Sequence, residues 1–368
     1  VRTTAHVLRA PDGRIGVGLD GTLTQHAEAE SLPVLGFLPP LYPEWLGDRS
    51  FAETHHTRFP YVAGAMANGI ASTQLVVAMA EGGCLGFFGA AGLSLARVGA
   101  AIEALQRTLD PRQLPWGVNL IHSPAEAALE DAVADLLLQK QVRCVEASAY
   151  LQLTPAIVRY ACSGLHVDAD GAIRRRNRVF AKVSRSEVAR QFLEPPPAAM
   201  LKALCDRGQL SELEAQLAAQ LPLTEDLTAE ADSGGHTDNR ALTALLPALA
   251  TLRDRIASER GYRDPIRLGA AGGIGTPAAV AAAFAMGAAY VQTGSVNQAC
   301  IESGLDASAR RMLAEAEMAD VIMAPAADMF EMGVNVQVLR RGSMFAPRAR
   351  KLYELYRGYP SLEAIPAG

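Results

Sequence analysis

From Phe59 onward, short apolar runs rich in Val, Ile, Leu and Phe alternate with longer Ala/Leu/Glu-rich stretches. This is the pattern of βα units around a parallel sheet. The strand-like runs are "YVAGA" (61–65), "LGFFG" (85–89), "WGVNLI" (116–121), "VRCVEA" (142–147), "RVFAKV" (178–183), "DLTAEA" (226–231), "IRLGAA" (266–271) and "AAYVQT" (288–293). Strands in that number, spaced by helices, predict an α/β fold of the (β/α)8 TIM-barrel type, ahead of an open doubly wound sheet. The interval between the fifth and sixth runs is too long for a simple crossover, and its "PPP" break divides several helical stretches. It predicts a helical insertion or lid at about 184–222. Residues 1–45 hold two short β-like runs around a "PDG" turn and a Pro-rich connector, which predict a small N-terminal β lobe. The barrel is expected over 46–305 and a C-terminal helical region over 306–368, with the methionines of "MAPAADMFEMG" as core filling.

A length of 368 residues suits about two domains of ~150 residues or one large barrel with insertions. A hydrophobic fraction of 49%, a charged fraction of 20% and a net charge of −5 describe an ordinary globular protein with no basic excess for nucleic acid. The five cysteines form no C-x-x-C pair and lie in or beside apolar runs, as reduced cysteines of a cytoplasmic protein do. Residues 59–80 carry no charge over a length that could span a bilayer, but Pro60, Gly64, Asn68, Gly69, Ser72 and Gln74 interrupt the run. A buried strand, a loop and a helix explain it better than a membrane segment, and no signal-peptide pattern opens the sequence.

In such a barrel, chemistry gathers at the C-terminal ends of the strands. The seventh run ends in "AAGGIGTP", which places Ala271, Gly272 and Gly273 before a helix begun by Pro277. The eighth ends in "QTGS", with Gln292, Gly294 and Ser295. Paired glycine turns after these two strands are the usual phosphate-binding place of such barrels, where bare amides hold a dianion. Ala65 and Met66 end the first strand, Asn119 lies on the third, Glu146 and Ser148 end the fourth, and Lys182 lies on the fifth. Asn119 could bond ring heteroatoms or be a satisfied barrel-mouth polar group. Lys182 could stabilise a ring that gains electrons or pair with Glu146. With the phosphate site, these residues favour flavin mononucleotide. In "ADSGGHTDNR", Ser233, Gly234 and Gly235 let the backbone approach a flat ligand, and His236 would stand over its face as a proton-transfer group. The other histidines (His6, His26, His55, His56, His122 and His166) read as surface or locally bonded residues. No histidine pair has metal-site spacing, so no metal is expected. "GGCLGFFG" lacks the glycine spacing and the following acid of a dinucleotide turn.

The set "GAMANGIAS", "GVNL", "VEASAYL", "EADSGGHTDNR", "GAAGGIGTP", "VQTGS" and "MFEMGVNVQVLRRGSMFAPRARKLYELY" resembles the PfaD family. These are trans-acting enoyl reductases within the wider nitronate monooxygenase and FabK-like superfamily. The resemblance covers residues 46 to about 360 and implies an FMN-containing barrel. It implies reduction, with NADPH, of the α,β-double bond of an acyl thioester carried on an acyl carrier protein of a polyketide or polyunsaturated fatty acid synthase. His236 takes the catalytic position, and Gly272, Gly273, Gly294 and Ser295 take the phosphate cradle. The alternatives are a nitronate monooxygenase, a phosphate-sugar isomerase or lyase without flavin, and a non-catalytic synthase-associated binding protein. NADPH against NADH, the acyl chain and the oligomeric state, a homodimer included, stay open at this point.

Overall fold

A computed structural model describes residues 3–26, 30–327 and 329–366. Asp328 of the "DMFEMG" motif and the terminal Gly368 lie outside them. The chain divides into two compact units, Val1–Leu46 and Gly47–Gly368. In the first, Ala5–Arg9 is the central strand of an antiparallel sheet, paired on one side with Ile15–Gly18 and on the other with Val34–Leu38.

The second unit is built on a closed barrel of eight parallel strands: Tyr61–Ala63, Leu85–Phe88, Gly117–Ile121, Cys144–Ser148, Arg178–Val183, Asp226–Glu230, Arg267–Ala271 and Val291–Thr293. Strand eight closes the ring onto strand one, with Val291 opposite Tyr61 and Thr293 opposite Ala63. These are the expected runs, most of them trimmed at an end, with strand five unchanged and strand four carried on to Ser148. The apolar stretch of 59–80 resolves into strand one, a loop and the helix Thr73–Glu81. Among the described residues no helix is long and apolar enough to cross a membrane.

Strand residues point alternately outward and inward. Outward positions such as Val118, Leu120, Val145, Ala181, Leu227 and Leu268 pack under the surrounding helices in the main core. Inward positions change character from the bottom of the barrel to the top. At the bottom Phe51, Phe87, Phe180 and Tyr290 are fully buried, with Phe51 stacked on Tyr290 at 4.7 Å between centroids. Gly269 is needed opposite them, since a Cβ there would lie 2.2 Å from the Tyr290 ring.

Phe51 comes from the helix Arg49–His55, which plugs the barrel floor and delivers a second histidine of interest. His55 was expected at the surface or in a local bond, yet it is buried and its Nε2 lies 2.9 Å from Asp226, 171 positions away in sequence. Asp226 also accepts from Arg267 Nε and Nη2 at 2.5 and 2.8 Å. Burial keeps the His55 pKa below its ordinary value, so the neutral ring donates to Asp226. For Asp226 burial acts upward, but His55 and Arg267 outweigh it and hold the carboxyl well below the usual range.

The helical insertion comprises Ser186–Leu193, Ala198–Asp206 and Glu212–Ala218. The last two pack on the outer helix Pro155–Cys162, and none of the three lines the barrel-mouth cavity. The C-terminal region, expected to be helical, also contains an antiparallel hairpin of Val321–Pro325 and Asn335–Leu339. Its β-branched Val321, Ile322, Val336 and Val338 prefer the pleated surface, and they outweigh the helical bias of the neighbouring Ala and Met. The helix Phe345–Gly358 packs on this hairpin, and Arg350 Nη2 donates to the Met323 carbonyl at 2.7 Å. Of the methionines expected as core filling, Met329 is buried and Met323 half-buried, whereas Met332 is exposed.

Asp226→Asn would leave the buried Arg267 guanidinium with Thr54 Oγ1 at 3.2 Å and, as its remaining acid among the described residues, Glu225 at 4.0 Å. It should lower stability by about 3–5 kcal/mol, read from urea-unfolding midpoints at neutral pH. Because the folded-state pKa of Asp226 lies below the unfolded value of about 3.9, its contribution is present above about pH 4 and is lost as pH falls further. The gap between wild type and variant should therefore narrow in acid.

Candidate active site

Above the aromatic floor the inward positions become polar and connected. Tyr290 Oη meets Thr228 Oγ1 at 2.7 Å, and Thr228 donates to Gln292 Oε1 at 3.3 Å. Gln292 Nε2 then donates to Glu146. Glu146 is fully buried. It accepts from the Ala65 amide at 3.1 Å and Ser148 Oγ at 3.2 Å, and its Oε2 lies 3.8 Å from Lys182 Nζ. Lys182 pairs more closely with Glu230, at 3.0 Å. Burial alone would pull the Lys182 pKa down, but Glu146 and Glu230 outweigh it and hold the ammonium above its ordinary range. Burial pushes Glu146 upward, against the pull of Lys182. Lys182 is thus a fixed positive charge at neutral pH. Asn119 Nδ2 donates to Ser148 Oγ at 2.9 Å and to the Glu146 carbonyl at 3.1 Å.

These groups form the base of a cavity of about 510 Å3 at the C-terminal end of the barrel, a size within the roughly 300–1,000 Å3 of cofactor sites. Ala65 and Met66 line it from strand one, Asn119 and Lys182 from strands three and five, and Ala271, Gly272 and Gly273 from the end of strand seven. Gln292, Gly294 and Ser295 line it from strand eight, and Ser233, Gly234, Gly235 and His236 from the loop after strand six. The residues singled out in the sequence are therefore brought around one cavity, except Glu146, which is buried in the network behind its lining. Gly272 has φ +88° and packs so closely that a Cβ would lie 2.4 Å from the Ala231 carbonyl oxygen. Gly273, at φ +70°, is the opposite case, because a Cβ there meets nothing within 4 Å. A Cβ on Gly294 also meets nothing within 4 Å. The two glycine turns thus leave open room beside the backbone, which is what a phosphate needs for close approach to main-chain amides.

The His236 loop is closed at its base, where the Asp232 amide donates to the Arg240 carbonyl at 2.9 Å and Asn239 Nδ2 to Asp232 Oδ1 at 2.7 Å. Its far side is pinned by Asp238, which accepts from Arg185 Nε and Nη2, both at 2.7 Å, and from Ser184 Oγ at 2.9 Å. A third tie was not foreseen. Gln337 of the hairpin donates to Asp232 Oδ1 at 2.8 Å and, like His236, lines the cavity. Glu230 was missed as well, although the alternation Asp226, Thr228, Glu230 marks it as an inward position of strand six. Among the described residues no group of His, Cys, Asp and Glu side chains is arranged to hold a metal ion.

Residues 49–350 match the family model described as nitronate monooxygenase. The chain belongs to the nitronate monooxygenase family. Within that family it is similar to the crystallised enoyl reductase domain of MlnA from the macrolactin biosynthesis cluster of Bacillus amyloliquefaciens. The match has a TM-score of 0.84 and 39% identity, covering 88% of this chain and 73% of that one. It is 49% identical to a polyunsaturated fatty acid synthase protein of Thraustochytrium sp., over 87% of this chain and 21% of that protein. With polyketide biosynthesis protein PksE of Bacillus subtilis it shares 44% identity, over 88% of this chain and 42% of that protein. The chain thus spans less than half the length of these curated relatives. FabK from Thermotoga maritima, at 22% identity and a TM-score of 0.58, shares the fold. The resemblance drawn from the sequence motifs holds: this is an enoyl-reductase-like member of the nitronate monooxygenase family.

Arg185→Ala removes the two-pronged hold on Asp238. Both groups are partly exposed, so the effect on global stability should be small, while amide exchange across 232–240 should quicken about three- to tenfold by mass spectrometry.

Proposed function

We propose that the chain is an FMN-dependent, NADPH-using enoyl reductase that acts on the α,β-double bond of enoyl thioesters borne by an acyl carrier protein, in polyketide or polyunsaturated fatty acid biosynthesis. One observation carries the reading above the others. The barrel-mouth cavity combines open glycine turns at Gly273 and Gly294, a permanently charged Lys182 on its floor and His236 at its edge, in a chain 39% identical to an enoyl reductase domain. The donor set suits FMN. The turns at Gly272–Gly273 and Gly294–Ser295 would take its phosphate, and Ala65, Asn119, Lys182 and Gln292 would face its ring.

Bound FMN would supply the two-electron chemistry between NADPH and the conjugated double bond. Lys182 holds positive charge near the ring without giving up its proton, since its two carboxylates stabilise the ammonium. Glu146 orients Lys182 and Gln292 and turns the Ala65 amide inward. His236 presents a ring N–H to the acyl group, where it polarises the thioester oxygen or supplies the proton at the α-carbon. Gly234 and Gly235 let the backbone before it pack closely on Ser295 Oγ and Glu230 Oε1, which a Cβ would approach to 3.1 and 2.9 Å.

The purified protein should be yellow and release FMN on denaturation. A colourless protein that takes up no flavin would refute the reading, and release of FAD would correct it. Gly273→Leu puts a side chain at φ +70° into the cavity, and should reduce FMN content about tenfold or more by absorbance.

His236→Ala should still be bleached by NADPH without oxygen, while its reoxidation by a carrier-bound crotonyl thioester slows on the order of 10²- to 10⁴-fold. Equal loss of both half-reactions would make His236 a residue that holds flavin. The family match over 49–350 favours a second reading, nitronate oxidation. Rapid oxygen uptake with a nitroalkane, in the absence of crotonyl thioester turnover, would select it.

A further inference from the structure

A second concavity, of about 840 Å3, lies away from the barrel mouth, between the helix Ala307–Ala314, the hairpin connection and the helix Phe345–Gly358. Met312, Phe330, Met344, Phe345 and Leu352 give it an apolar lining. Much of this surface faces solvent, with Met344 60%, Leu352 53% and Phe345 42% exposed. Phe345, Leu352, Tyr356 and Tyr359 fall at helical spacing along one side of the terminal helix and its end, with Arg348 among them.

The charge beside this groove is one-sided. From Leu339 to Arg357 the sequence places six basic residues against the single acid Glu354, in a chain whose net charge is −5. Arg341 faces Asp320 at 3.7 Å, Arg350 is held by the Met323 carbonyl, and Lys351 lies 4.0 Å from Glu354. Arg340, Arg348 and Arg357 have no acid in ion-pair reach among the described residues, and Glu331 is the acid on the groove wall. In a chain of slight net negative charge, an acidic partner is drawn to this strip, which favours where and in what orientation it lands.

The groove is also joined to the active-site cavity by one short piece of chain. Gln337 lines the cavity and Gly342 lines the groove. Four residues lie between them, so the two are at most about 18 Å apart when the chain is fully extended. The groove wall at Gly342 therefore lies within about 18 Å of the cavity wall at Gln337, so a protein seated in the groove would carry its tethered thioester close to the cavity.

We propose that this groove is the docking site for the carrier protein, which seats an acidic amphipathic helix with its apolar side chains against Met344, Phe345 and Leu352 and its carboxylates against Arg340 and Arg348. The assignment rests on the enoyl reductase reading and adds to it where the substrate's carrier binds. The test compares wild type with Arg348→Glu, Leu352→Ser and the double variant, all at exposed positions. Each receives the same enoyl group on a carrier protein and on free pantetheine.

In the double variant KM for the carrier-bound substrate should rise about tenfold or more and its salt dependence should flatten. With the pantetheine thioester, kcat/KM should stay within about twofold of wild type, as expected for a site remote from the chemistry. Equal loss on both substrates, or no change on either, would overturn the proposal. So would a wild-type dimer that Leu352→Ser dissolves without affecting KM for the carrier substrate, because a second copy would then occupy the groove. If wild type reduces neither substrate, the enoyl reductase reading has failed. Titration of the carrier protein against wild type and the double variant still decides docking, through a dissociation constant weakened about tenfold.

Discussion

Glu146 is a carboxylate with no exposed surface, and an isolated charge at such depth would cost several kcal/mol. It is tolerated because donors converge on it from around the ring: the Ala65 amide after strand one, Ser148 on its own strand, Lys182 on strand five and Gln292 on strand eight. Meeting that demand shapes the cavity. Strand one ends at Ala63, so the next residues can turn inward and aim the Ala65 amide at the carboxylate. Gly64 must lack a side chain, since a Cβ there would lie 2.5 Å from the Gln292 amide nitrogen. Lys182 is fixed as a cation, and Asn119 is held by the Glu146 carbonyl and Ser148. The polar floor of the cavity is therefore one satisfied network, and each member's position depends on the others.

The barrel was legible because strands buried on both faces read as short apolar runs, and helices between them break the pattern at regular intervals. The cavity residues at strand ends followed from the same reading. Glycine turns after strands seven and eight and the polar residues at the ends of strands four and five stand out against apolar neighbours. What sequence could not supply was pairing at a distance. His55 reads as one of two adjacent surface histidines until the chain brings it to Asp226. Of the two readings of Lys182, the pairing with Glu146 is present, at 3.8 Å and beside a closer one with Glu230, and the residue also lines the cavity.

The C-terminal region was harder to read because local composition and local pattern disagree there. Ala, Met and Glu around 323–333 favour helix, whereas "VNVQVL" alternates in the manner of a strand. Pairing of Val336 with Ala324 and Val338 with Ile322 settles the conflict in favour of the hairpin. That outcome has chemical weight, because a helix over the same residues would not set Gln337 against Asp232 at the foot of the His236 loop.

The plug formed by Phe51, Phe87, Phe180 and Tyr290 makes the barrel a blind well. A reactant leaves by the way it entered, past the rim where Gln337 and His236 stand. Two bulky reactants that must each reach the same floor therefore take turns, and an excess of either obstructs the other by holding the shaft. Such a vessel suits chemistry in which something resident stores what the first visitor leaves behind until the second arrives.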